Sequence, residues 1–263
     1  MARVQSDRRP AVDRKCVFDL SHRARGESSE VGGYNDASMR IRGLIFDFNG
    51  VIVDDEPLHA RAVQRVLKEE NVELSLPEYY DRYLPFDDYN CLLHILRDCQ
   101  EPHHDSRIRD LAARKAAHYF SQVRESIPAL DGSIDFIRSL PPELPVVIAS
   151  GAARREIEFL LARLDLTDRF LKIIAAGDVV NSKPHPEAFL KAFEMLKNRV
   201  LDLECDEVIV FEDSFLGVQA ARAAKLKCVG LSTSYPPERL AAAHLVVDSL
   251  TGWTLERLEA AID

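Results

Sequence analysis

The amino-acid sequence predicts an α/β protein, a doubly wound parallel sheet with an α-helical cap inserted after its first strand. Two observations carry this reading. Short, predominantly apolar runs recur along the chain with helical patterns between them, and the strand signal vanishes between residues 55 and 128. A continuously apolar run suits a strand buried on both faces, as in a parallel sheet; an alternating run would mark a strand with one wet face. Alternation of such runs with helices builds a sheet covered on both sides.

The first run covers residues 41–46, ending in Leu44-Ile45-Phe46 and halting at Asp47. Others lie at 145–149, 171–175, 208–211, 226–231 and 244–247, with helical spacing over 133–140, 153–164, 186–198, 215–225, 237–243 and 254–262. Inside 55–128 three apolar stripes keep a helical period: Leu58, Ala62, Val66 and Leu67; Cys91, Leu92, Ile95 and Leu96; then Ile108, Leu111, Ala112, Ala116, Tyr119, Phe120 and Val123. Stripes of this kind form a core. The expected organisation is therefore a core of residues 39–54 and 129–263 and a helical cap of 55–128.

Residues 1–38 differ from the rest. They hold seven basic and six acidic residues, show no sustained period and end in a turn-rich stretch at 31–36. Such a segment buries too little to order itself and is expected to be a disordered extension, with Met39 as the working start. Its six acids argue against a targeting presequence.

Composition removes several classes of function. With 43 acidic against 34 basic residues the formal net charge is −9, a poor match to a phosphate backbone, so no nucleic-acid partner is expected. No stretch approaches a membrane span of about 20 apolar residues. The five cysteines (Cys16, Cys91, Cys99, Cys205 and Cys228) form no C-x-x-C pair and read as reduced thiols of a cytoplasmic protein, expected to act as a monomer.

Open parallel sheets bind ligands beyond the carboxyl ends of their strands. The residues at those ends are Asp47, Asn49 and Asp54, then Ser150 beside Gly151, then Lys183, then Glu212 and Asp213. Carboxylates from the first and fourth ends suit a hard divalent cation such as Mg²⁺. A lysine and a hydroxyl beside them suit a phosphoryl group, and a free carboxylate there can act as nucleophile.

These residues resemble the four motifs of the haloacid dehalogenase superfamily. Asp47-Phe48-Asn49-Gly50-Val51-Ile52-Val53-Asp54 is similar to the first motif, and Ser150 closing Val147-Ile148-Ala149 to the second. Lys183-Pro184-His185-Pro186-Glu187-Ala188-Phe189 is similar to the third, and the segment from Phe211-Glu212-Asp213-Ser214 to Ala220-Ala221 to the fourth. The resemblance covers nearly all of residues 41–248, with the cap placed as in the subgroup containing β-phosphoglucomutase. It implies a Rossmann-like core and a Mg²⁺-dependent hydrolase of small phosphorylated metabolites that works through an aspartyl-phosphate. By the same resemblance Asp47 is the nucleophile, and Mg²⁺ is held by Asp47, the Asn49 carbonyl and Asp213, with Glu212 nearby. Ser150, Gly151 and Lys183 grip the phosphoryl group. His59 is read as a cleft residue at the cap entrance, Asp54 as a loop cap, and His185 as a loop-shaping residue. The pair His103-His104 is not read as a metal site.

One departure matters. Where the family carries a second Asp, thought to protonate the leaving oxygen, this chain has Asn49. An amide cannot exchange that proton, and general acid–base help is worth about 10²- to 10⁴-fold. Three explanations stand open: a substrate with a good leaving group, another group such as His59 supplying the proton, or a weak enzyme kept for binding. Asn49 counts most heavily against a phosphosugar mutase, which needs two efficient transfers. A metal-free dehalogenase is disfavoured by the consecutive Glu212-Asp213 pair.

Overall fold

The computed structural model describes residues 41–262. The expectations for residues 1–38, Met39 and Cys16 lie outside them. Six parallel strands form one sheet in the order β3-β2-β1-β4-β5-β6: β1 (Gly43–Phe46), β2 (Val146–Ala149), β3 (Lys172–Ile174), β4 (Val208–Glu212), β5 (Lys227–Leu231) and β6 (Leu245–Val247). The chain builds outward from β1 to β3, then returns to the far side of β1 with β4. That reversal opens a crevice at the strand ends between β1 and its neighbours.

Between β1 and β2 run five helices: α1 (Glu56–Glu69), the single turn α2 (Leu76–Glu78) continuing into a π-helical turn at Tyr79–Tyr83, α3 (Asp88–Asp98), α4 (Asp105–Val123) and α5 (Asp131–Ser139). After β2 come α6 (Arg154–Arg163), α7 (Glu187–Lys197), α8 (Phe215–Ala223) and α9 (Leu255–Ala261). The sequence expects a helix over 237–243, but only a 3₁₀ turn forms, at Pro237–Leu240. Pro236 and Pro237 start it, and the segment is too short to repay helix nucleation.

The alternating faces of the strands explain their unbroken hydrophobicity. Leu44 and Phe46 of β1, Val146 and Ile148 of β2, and Ile209 and Phe211 of β4 pack beneath Ile134 and Phe136 of α5, Ile157 and Leu160 of α6, and Leu258 of α9. Ile45, Val147, Val208 and Val210 point the other way, against Phe189, Ala192 and Leu196 of α7 and Val218 and Ala221 of α8. Both faces of the central strands β1, β2 and β4 are dry, so their positions are apolar up to the carboxyl ends. A third cluster joins Val63, Val66 and Leu67 of α1 to Leu92 and Ile95 of α3 and Ile108 and Leu111 of α4.

Phe46 pairs with Phe211 in the parallel register, and the two rings stack at 4.4 Å. This contact sits one residue below Asp47 and Glu212. It sets the spacing of the two carboxylates that follow, and truncating Phe211 would cost about 3–5 kcal/mol. Among the described residues, no helix is long and apolar enough to cross a membrane, and Cys91, Cys99, Cys205 and Cys228 are free thiols.

Candidate active site

Asp47 leaves β1 with its backbone N–H still bonded to Phe211 O of β4 at 2.9 Å, so Asp47 and Glu212 stand side by side. Two adjacent buried carboxylates repel unless a cation joins them. Lys183, reached by the loop after β3 through a cis Lys183–Pro184 peptide, supplies it: Nζ lies 3.0 Å from Asp47 Oδ1 and 2.7 Å from Glu212 Oε2. The Asp47 contact is an ion pair, and Oδ1 accepts no further hydrogen bond. The other Glu212 oxygen accepts from Ser214 N at 3.0 Å and Ser214 Oγ at 2.7 Å. Asp213 accepts from Ser234 Oγ in the loop after β5. Ser150, buried at the end of β2, has its Oγ accepting from Ala152 N at 3.2 Å.

Two glycines permit this crowding. Gly50 has φ +69°, and a Cβ there would lie 1.9 Å from Asp213 Oδ2. A Cβ on Gly217 would lie 1.9 Å from the Glu212 carboxyl carbon. Positive φ and close approach are the two conditions that only glycine meets without strain.

Charge balance in this cluster is negative. Burial, reinforced by Glu212 and outweighing the opposing pull of Lys183, pushes Asp47 up to about 6. Burial raises Asp213 well above its usual range, with Glu212 and Asp47 adding to it. For Lys183 burial alone would lower the pKa, but Asp47 and Glu212 outweigh it and the net direction is up. Ligand oxygens of Asp47, Glu212 and Asp213 all lie within 4.8 Å of one another. Three hard oxygen donors, with one buried Asp47 oxygen accepting no further hydrogen bond, fit a cation such as Mg²⁺. Glu212 already serves Lys183 and Ser214, so Asp47 and Asp213 are the freer pair.

The opposite wall comes from helices. Asn49 Nδ2 donates to Asp55 Oδ1 at 2.8 Å; His59 Nε2, on α1, donates to Asp55 Oδ2 at 3.2 Å; and Tyr119 OH, on α4, donates to the same oxygen. Lys115, one turn before Tyr119 and fully buried, donates to His59 Nδ1 and pairs with Asp88 at 2.6 Å. With Lys115 donating to Nδ1, the proton of a neutral His59 sits on Nε2. Burial would raise the Asp55 pKa, but His59, Tyr119 and Asn49 together hold it below the usual carboxylate range. Glu56 accepts from Tyr79 OH at 2.5 Å, and burial raises its pKa.

The two walls enclose a cleft of about 310 Å³. All eight residues read as site residues line it: Asp47, Asn49, His59, Ser150, Gly151, Lys183, Glu212 and Asp213. Tyr79, Phe86, Tyr89 and Tyr235 line it as well, and the buried Tyr235 hydroxyl has no hydrogen-bond partner. The other readings fare differently. Asp54 is exposed, and only its backbone N–H is bonded, to Pro128 O at 2.7 Å. The buried carboxylate is Asp55, one residue on, because this is the position that faces α4. His185 Nδ1 accepts from Glu187 N at 3.3 Å, and His104 Nδ1 accepts from Arg107 N at the start of α4. Lys115 was findable: it falls on the apolar stripe, four residues after Leu111 and four before Tyr119, where an unpaired lysine does not belong. Nothing local distinguishes Asp55 from Asp54.

A carboxylate cluster, a lysine and a serine thus meet at the strand ends of a doubly wound sheet, faced by helices. The chain belongs to the haloacid dehalogenase-like hydrolases, whose family match spans residues 41–225. It is 28% identical over 192 residues to the fructose-1-phosphate phosphatase of Escherichia coli K12, covering 72% of this chain and 96% of that protein. Hexitol phosphatase B of the same strain is 28% identical over 225 residues, covering 83% of this chain and 97% of that one. In fold the chain is similar to the crystal structure of β-phosphoglucomutase from Clostridium difficile: TM-score 0.74, 24% identity, 84% of this chain and 97% of that chain.

Proposed function

We propose that the protein is a phosphohydrolase of small phosphorylated metabolites, dependent on Mg²⁺, with Asp47 as nucleophile. The observation that carries this reading is the buried Asp47 carboxylate, ion-paired with Lys183 and with a ligand oxygen within 4.8 Å of those of Glu212 and Asp213 at the floor of the cleft. Asp47, Asp213 and the Asn49 carbonyl would hold the metal, with Glu212 beside them. When bound, Mg²⁺ offsets the repulsion between a carboxylate nucleophile and a phosphate dianion.

Lys183 keeps Asp47 ionised and aimed, and with Ser150 and Gly151 receives the phosphoryl oxygens. Asp47 forms a bond to phosphorus as the ester oxygen leaves, and water then cleaves the acyl phosphate and returns the carboxylate. Asn49 gives no proton to the leaving oxygen. On the helical wall Glu56, raised by burial, is the carboxyl suited to carry one. Residues 55–128 act as the cap that selects the substrate, and sugar or polyol phosphates are the class favoured by the named activities of the two relatives. The reduced thiols Cys91, Cys99, Cys205 and Cys228 fit a cytoplasmic setting.

A phosphate-release assay over a panel of sugar and polyol phosphates with Mg²⁺ tests the reading. Turnover on at least one member, lost by about 10⁴-fold or more in Asp47→Asn, supports it. Equal turnover by that variant removes Asp47 from the role. Binding of phosphorylated ligands with no turnover anywhere on the panel favours the weak-enzyme reading that Asn49 raises.

A further inference from the structure

The departure at position 49 has a counterpart at position 55. Asp55 is wholly enclosed and has three donors converging on it, and one of them is the Asn49 amide at 2.8 Å. A carboxylate only accepts, so it fixes which way the amide lies, with Nδ2 turned to Asp55. Among the described residues no donor reaches Asn49 Oδ1, and Asn49 lines the cleft. His59 Nε2 lies 3.5 Å from Asn49 Nδ2; both nitrogens are donors here, so that contact adds nothing to hold the amide. Asp55 alone orients it.

We propose that Asn49 and Asp55 are one functional unit, in which Asp55 is a positioning residue that pins the Asn49 amide and leaves Oδ1 as an acceptor facing the substrate's ester side. The unit deepens the phosphohydrolase reading and rests on it. Its consequence is that an acid cannot be restored at position 49 alone. A carboxyl group introduced there has no N–H to donate, so the contact that pins position 49 is lost and acceptor oxygens about 3 Å apart face each other. The new side chain therefore swings away from Asp55 and is withdrawn from the leaving oxygen. Exchanging the pair removes the conflict, because an amide at position 55 can donate to a carboxylate at position 49.

The test compares the parent, Asn49→Asp, Asp55→Asn and the double exchange Asn49→Asp/Asp55→Asn. Each is assayed on the best sugar phosphate of the panel and on p-nitrophenyl phosphate, whose leaving group needs little protonation. Melting temperatures of the metal-free proteins provide a readout independent of turnover. The expected results are a melting temperature about 4 °C or more lower for Asn49→Asp, most of which returns in the double exchange. In the double exchange kcat on the sugar phosphate rises about 10²-fold over the parent, with a change under about tenfold on p-nitrophenyl phosphate. Asn49→Asp alone gives neither gain. If the double exchange does not fold, Asn49→Asp with Asp55→Ser serves the same purpose, since a hydroxyl also donates to a carboxylate. The proposal is overturned if Asn49→Asp alone is as stable as the parent and gains as much as the exchange. It is also overturned if the effects on melting temperature simply add. The panel assay with Asp47→Asn reports separately on the phosphohydrolase reading, whereas the melting-temperature comparison reports on the pair whatever the substrate.

Discussion

Buried aspartates on the two walls of the cleft are shifted in opposite directions. On the strand-end wall Asp47, Glu212 and Asp213 face one lysine, and burial pushes Asp47 and Asp213 upward. On the helical wall Asp55 is at least as enclosed, yet its pKa is lowered, because Asn49, His59 and Tyr119 all donate to it. Burial is common to both; at Asp55 the pull of His59 and the three hydrogen bonds outweigh it, whereas at Asp47 the pull of Lys183 does not. The strand-end wall therefore carries surplus negative charge, whereas Asp55 on the helical wall is satisfied by the chain itself. A wall short of positive charge is where an outside ligand gains most.

The largest expected effect breaks the balance on the strand-end wall. Lys183→Met leaves Asp47 and Glu212 adjacent with no cation, and should lower kcat by about 10³-fold, read in the phosphate-release assay. It should also lower metal-free stability by about 3 kcal/mol in denaturant unfolding, with part of the loss recovered on adding Mg²⁺.

A smaller effect follows from pH. The folded protein holds protons on Asp47 up to about pH 6, while the unfolded chain releases them near the ordinary carboxylate value of 3.8. More protons are bound folded than unfolded in that window, so metal-free stability should fall as pH rises from about 4 to 6, by on the order of 2–3 kcal/mol. Asp213, also raised, extends the fall upward. Mg²⁺ should flatten the profile, and a metal-free profile rising over this window would remove the charge surplus assigned to this wall.

The helical wall should behave differently. Lys115→Met keeps the length of the side chain but strands His59 Nδ1 and the half-exposed Asp88, costing about 2 kcal/mol. That loss should be the same with and without Mg²⁺ in thermal unfolding. A loss that Mg²⁺ repairs would mean that the two walls share one charge balance after all.

The same contrast explains what was legible. Each strand-end residue sits one step beyond an apolar run: Asp47 after Phe46, Ser150 after Ala149, Glu212 after Phe211. Parallel strands start level, so the ends of such runs meet, and one dimension of the chain maps directly onto the site. The helical wall has no such rule. Lys115 and Tyr119 reach Asp55 and His59 across more than fifty residues of sequence because α4 packs on α1, and helix packing depends on side-chain shape all along the contact. The lysine on an apolar stripe was a clue that something polar lay opposite, without naming it. The turn at Pro237–Leu240, read as a helix, shows the other limit: periodicity over a few residues cannot establish a helix that nucleation disfavours.

By itself the sequence determined the doubly wound sheet and the carboxylates at its switch point, because apolar runs and strand ends are local properties that parallel pairing carries into space. Only the tertiary structure decided which of two adjacent aspartates is buried and that its partner is Asn49. That choice depends on which face of the loop after β1 meets α4, and no local pattern encodes a contact made across the fold.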